Sequence, residues 1–207
     1  MWGAAATCFA SAWLLPNVGH GTIEEQRARL PPAAECDDEI VAGIWRSHTY
    51  STTFGWNVFT LTIRRVADQP NQLIGTITNH EWDGSPTDSE PLPCSQQTGT
   101  EWIVSMDARG SVTADNQIYF GGVGQWRLDQ TVCNAGPGGY YLDNFTGIID
   151  PAILEFQAVN NDGGYAVNEP AVFRRIRCPP VESAQSPSVN PVPPSFYPDM
   201  RSGCSPL

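Results

Sequence analysis

Residues 56–66 read WNVFTLTIRRV. Phe59, Leu61 and Ile63 fall on one side of an extended chain, Thr60, Thr62 and Arg64 on the other. Successive strand side chains point to opposite faces, so this alternation is the mark of a strand with one face buried. Leu73–Trp82 carries a second β-rich run, and Asp68-Gln69-Pro70-Asn71 between them is turn chemistry. The two runs predict a hairpin.

Working outward, the same grammar extends in both directions. Ile40–Thr53 precedes the hairpin as a long β-rich run. After it, Asp83–Thr98 is a polar, Pro-rich loop. Thr100–Ala108 is a strand with Trp102, Val104 and Met106 on one face, and Arg109-Gly110 turns the chain. Gln117–Val123 and Gly124–Val132 supply one or two strands around a glycine kink, and Asn134–Gly139 is a loop. Tyr140–Ile149 and Ile153–Asn160 follow, then the turn Asn161-Asp162-Gly163-Gly164 and a last strand, Ala171–Cys178. Short strands at this spacing predict an all-β, antiparallel barrel of eight or nine strands, with a β-sandwich as the alternative. Closure removes exposed strand edges and favours the barrel. Thr22–Leu30 predicts one short N-terminal helix, with Thr22 and Glu25 as a capping box and Pro31-Pro32 as the stop.

The ends differ in composition. Ala4–Leu15 is an apolar run too short to cross a bilayer, broken by Pro16. Gly19 and Gly21 then offer small residues before Thr22, so residues 1–21 are expected to be an export signal, although no positive charge precedes the run. After Cys178, eight of the last 29 residues are Pro, which predicts an extended tail over 179–207. The expected organisation is therefore signal 1–21, helix and linker 22–35, barrel domain 36–178 and tail. No other stretch reaches membrane-spanning length.

The net charge of −11 argues against nucleic acid and anionic lipid as partners. All 11 basic residues are Arg, so lysine Schiff-base chemistry and the phosphate-loop lysine are excluded. None of the six cysteines sits in a C-x-x-C or C-x-x-H pair, and no cofactor motif is present. In an exported, extracellular chain the default is disulfides. Cys36 precedes the first strand and Cys178 ends the last, so their pairing would tie the domain ends together. Cys94 and Cys133 both lie in loops and form the second candidate bridge. Cys8 leaves with the signal, and Cys204 is left over in the tail, either unpaired, linked between chains, or a sign that the pairing scheme differs.

Gly43-Ile44-Trp45 lies on the first strand, just after a brief helix, and Val172–Arg177 brings arginines on the last. This combination resembles the calycin superfamily of lipocalins, fatty-acid-binding proteins and avidins, in which a Gly-x-Trp on strand one meets an Arg from the final strand at the closed barrel end. The resemblance implies an up-and-down barrel with a ligand cavity at the other end. Alternation selects Arg174 as the partner of Trp45, both structural residues plugging the closed end. The chain departs from the pattern in having no Thr-Asp-Tyr motif and no helix after the last strand.

Chemistry is sparsely signalled. His80 and Glu81 are strand neighbours and should point to opposite faces. Glu101, Asp107, Asp129, Asp143 and Glu155 are the strand carboxylates from which a glycosidase pair would be drawn. Glu101 and Asp107, opposite the Trp102 face, are expected in solvent. Asp37-Asp38-Glu39 is an acidic run whose plain reading is a solvated loop, and no metal site is expected. Asn144-Phe145-Thr146 is a glycosylation sequon. Aromatics serve both cavities and β cores. Trp56, Tyr50 and Trp102 are the expected ligand contacts, with Trp56 at a barrel mouth. The reading that ranks first is a secreted, non-enzymatic protein holding a small apolar or amphipathic ligand. Behind it stand a surface component that meets extracellular protein partners or assembles through its tail, and a carbohydrate-binding or carbohydrate-active protein.

Overall fold

The structure, a computed structural model, describes residues 21–36, 39–164 and 166–179. Apart from Gly21, the expected export signal lies outside the described residues, as do Cys8, Asp37, Asp38, Cys204 and the tail after Pro179.

The capping box forms as Thr22 and Glu25 predict. Glu25 N–H donates to Thr22 Oγ1 at 3.2 Å, and Thr22 N–H donates to Glu25 Oε2 at 2.7 Å, opening helix α1 (Ile23–Arg29). Nine strands follow among the described residues: β1 (Gly43–Arg46), β2 (Thr49–Ser51), β3 (Gly55–Val66), β4 (Gln69–Trp82), β5 (Glu101–Val112), β6 (Gln117–Cys133), β7 (Asn144–Asp150), β8 (Glu155–Asn161) and β9 (Val167–Arg177). From β3 onward each strand pairs antiparallel with the next. β1 pairs with both β3 and β9, so eight strands close into an up-and-down barrel, and β2 continues along β3 as an extra strand. The barrel is the predicted all-β class, and it leaves no edge along most of its girth.

Several local expectations change or narrow. Arg109-Gly110, expected to turn the chain, lies inside β5, and Gln69-Pro70-Asn71, expected in the hairpin turn, opens β4. Ile40–Thr53 is not one strand: buried Ser47 and His48 interrupt it between β1 and β2. Of the one or two strands expected around the glycine kink, one forms: Gly124, at φ 77°, lies within β6 while pairing with β5 continues through register shifts. Tyr140–Leu142 belongs to the loop before β7 rather than to the strand.

Inward alternation builds the core. Trp45, Leu61, Ile63, Leu73, Ile77, Phe120, Phe145, Phe156 and Phe173 are buried together inside the barrel. Each such side chain contributes about 1.5–3 kcal/mol by leaving water. The outer face is covered at one place by α1. Gln26, fully buried, accepts from Val172 N–H at 2.9 Å and donates to the Pro170 carbonyl at 3.1 Å. Glu155 receives Arg27 at 2.8 Å and Arg174 at 2.7 Å, which clamps the helix to β8 and β9. The cysteines pair as Cys36–Cys178 and Cys94–Cys133, with Cα separations of 5.6 and 5.4 Å.

Candidate functional site

One end of the barrel is sealed. Trp45 is fully buried, and its indole N–H donates to the Val41 carbonyl at 2.8 Å. The guanidinium over its ring is that of Arg175, 5.6 Å from the centroid, and not that of Arg174. Arg175 also donates to the carbonyls of Ala34 and Glu39. The choice of Arg174 failed because α1 buries part of the outer face, so Val172 is apolar and buried without pointing inward; Ala171, Phe173 and Arg175 are the inward set. Gly43 is required here: at φ 138°, a Cβ would stand 2.6 Å from the Arg177 carbonyl oxygen and 3.0 Å from Arg175 Cδ. Glu39 is no solvated loop residue. It accepts from Val41 and Ala42 N–H at 2.6 and 2.8 Å and pairs with Arg65 at 2.8 Å.

The other end opens into a cavity of about 380 Å³. Its aromatic wall comes from Phe54, Phe59, Trp102, Tyr140 and Tyr141. Its polar wall includes Asn57, Glu81, Asp143 and Asn160, with Asp162 and Glu169 also lining it. The strands place these residues by the same inward parity that builds the core: Asn57 on β3, Glu81 on β4 and Trp102 on β5 are cross-strand neighbours.

A buried polar network underlies the opening. Tyr140 O–H donates to Asp143 Oδ2 at 2.6 Å, and Asn160 Nδ2 donates to Asp143 Oδ1 at 2.8 Å. Asn79 Nδ2 donates to Tyr140 Oη at 3.1 Å and to Asn57 Oδ1 at 2.7 Å. Asn79 is 1% exposed, and its amide oxygen has no donor. Burial, reinforced by the charges of Asp83 and Asp143, pushes the Glu81 carboxyl up to about 8. Burial pushes Asp143 up to about 7, against the hydrogen bonds from Tyr140 and Asn160. Burial and the adjoining Asp143 push the Tyr140 hydroxyl well above its usual range. Burial in a low local dielectric leads all three shifts, and neighbouring acidic groups add to each.

Of the three expected contacts, Trp102 alone lines the cavity. Trp56 shares its parity with Val58, opposite Phe59 and Leu61, and packs on the outside of the barrel. There it stacks on Trp82 at 6.0 Å, lies 5.0 Å from His48 and carries the Arg29 guanidinium at 4.9 Å. Tyr50 joins that outer cluster at 5.0 Å from Trp56. The parity of Phe59, Leu61 and Ile63 already held this information. Asn79 and Glu81 were missed although they share the parity of Leu73 and Ile77.

The other carboxylates have structural partners. Glu101 is buried on the outer face, where it meets His80 at 2.9 Å and Gln97 at 2.7 Å, so the expectation of solvent exposure is overturned. The Cys94–Gln97 segment and the bridge to Cys133 cover it. Cys94, Glu101 and Cys133 lie within metal-ligand spacing, but both sulfurs are spent in the disulfide. Asp107 is exposed and pairs with Arg127 at 3.2 Å; Asp129 accepts from Ser105 at 2.9 Å. Asn144 Nδ2, the atom a glycan would occupy, donates to the Leu142 carbonyl at 2.7 Å.

These features define the class: a closed up-and-down β-barrel with a filled end at Trp45 and, toward the other end, a cavity walled by aromatic and acidic side chains. Beyond that class, no family model, no curated protein and no solved structure matches the chain.

Proposed function

We propose that the chain is an exported, non-enzymatic binding protein that takes a small amphipathic ligand into the open end of its barrel. The observation that supports this most is the cavity itself, of about 380 Å³, which combines an aromatic wall with a few converging polar groups. Ligand sites have this makeup and this order of size. The opposite end is filled by Trp45 and Arg175, so a ligand has one route in. Gly43-Ile44-Trp45 at that sealed end also fits the calycin resemblance.

Export is the compartment in which two disulfides persist, and among the described residues no helix is long and apolar enough to cross a membrane. The apolar run at residues 4–15 would serve as the signal, and the Pro-rich segment after residue 178 as a tail outside the barrel domain. Trp102 and Tyr140 are the contacts we assign.

Native mass spectrometry of the exported protein tests the reading. A co-purified mass that leaves on denaturation, and that a W102A variant retains poorly, is the expected result. A bare protein that runs as oligomers lost in C204S would overturn it in favour of assembly through the tail.

A further inference from the structure

Building on the ligand-binding reading above, we infer that the barrel ligand is an organic cation: an ammonium group seated against Glu81 and Asp143, with its apolar body along Trp102 and Tyr140.

Three observations converge. First, the cavity is lined by Glu81, Asp143, Asp162 and Glu169, and among the described residues no arginine or histidine lines it. Asp162 has a local task, since it accepts from Gly164 and Ala166 N–H at 2.7 and 3.0 Å. Glu81 has none of this kind. Its strand neighbours across the wall are Asn57 and Trp102, both uncharged, and the charges bearing on it are Asp83 and Asp143, both acidic. A carboxyl held among carboxyls in a desolvated wall is costly to keep ionised, and a ligand cation removes that cost.

Second, the buried Asn79 amide, behind the lining, fixes two wall residues by donating to Asn57 Oδ1 and Tyr140 Oη. An ammonium is a donor without acceptors, and the lining carboxyls of Glu81 and Asp143 are the acceptors it would meet. Third, the acids adjoin aromatic rings. Trp102 and Tyr140 meet edge-on at 5.6 Å, and such rings attract a cation over their faces. A carboxylate ligand would meet repulsion from the same wall and find no guanidinium to receive it.

The test uses three probes of one skeleton: 4-phenylbutylamine, 4-phenylbutanol and 4-phenylbutyrate, titrated calorimetrically into the intact protein. The amine is expected to bind at least about tenfold tighter than the alcohol, the equivalent of one modest charge contact, and the carboxylate weakest. Amine affinity should rise between pH 6 and pH 8 and then level off, because below about 8 the ligand must first drive a proton from Glu81. The heat should depend on the buffer accordingly, with proton release visible on the wild-type protein. E81Q is expected to lose the preference for amine over alcohol while still binding the alcohol. If the alcohol binds as tightly as the amine, or no proton is released near pH 7, the cation inference is overturned while the binding barrel stands. If none of the three binds, both readings fall.

Discussion

Arg174 and Arg175 are adjacent and chemically identical, yet they sit in different worlds. Arg175 is 1% exposed and caps Trp45 from inside the barrel, while Arg174 lies outside and shares Glu155 with Arg27. Removing Arg175 leaves the carbonyls of Ala34 and Glu39 without their donor and opens space over a fully buried indole. R175A is therefore expected to cost about 3–4 kcal/mol, near the upper range for a buried polar residue with its network, and R174A clearly less because Arg27 still holds Glu155. Urea denaturation of the two variants checks the order; equal losses would mean that the barrel end does not depend on the Trp45–Arg175 contact. That Gly43-Ile44-Trp45 lies on the first strand was legible. Which arginine meets Trp45 was not, because that depends on α1 covering Val172 from outside, a tertiary fact that alternation along one strand does not contain.

At the level of strands and bridges, more was readable. The period-two runs located β3, β4 and β5, because a half-buried strand must alternate whatever its neighbours do, whereas the turn residues misplaced two ends: Gln69-Pro70-Asn71 lies in β4 and Arg109-Gly110 in β5. The mouth was harder to read. Asp143 and Tyr140 reach it from an irregular loop with no period, and Asn79 and Glu81 are polar residues at inward positions, where a hydrophobic pattern gives no cue. The bridges act on these elements unequally. The Cys94–Cys133 link spans 39 residues and covers Glu101 and His80; the Cys36–Cys178 link spans 142. The chain-entropy model assigns about 4 kcal/mol to the shorter and about 5 kcal/mol to the longer. C36S/C178S is expected to lower the denaturation midpoint more than C94S/C133S, and only the latter should expose the His80–Glu101 pair to exchange. Equal midpoints would show that strain or residual structure outweighs loop closure.

For the whole molecule, buried titratable groups set a pH window. Burial, with Arg29 and Arg46 nearby, pushes His48 down to about 4. The unfolded chain therefore binds a proton that the folded chain refuses between about 6.5 and 4, and this contribution to stability is lost as pH falls through that range. Glu81 and Asp143 act oppositely. Their folded values, about 8 and about 7, lie above the unfolded ones, so the folded chain keeps protons that the unfolded chain releases. Their contribution is full below about pH 4 and is lost as pH rises to about 8. Stability should peak in mildly acidic solution, and the melting temperature should fall from there toward pH 9. E81Q should flatten the alkaline limb, with its gain over wild type growing from pH 5 and levelling above 8. A wild-type melting temperature that climbs steadily to pH 9 would contradict these environments.

The pairing of β1 with β9 joins the first strand to the last, and the bridge from residue 36 to residue 178 lies immediately outside that seam. Tension applied to the two ends of the chain would run through sulfur and bypass the strands altogether. Held by its flanking segments, at a surface or between partners, the barrel would bear load as a covalent link does and keep its cavity intact. Under reducing conditions the same pull would fall on the β1–β9 hydrogen bonds and peel the barrel open from its seam.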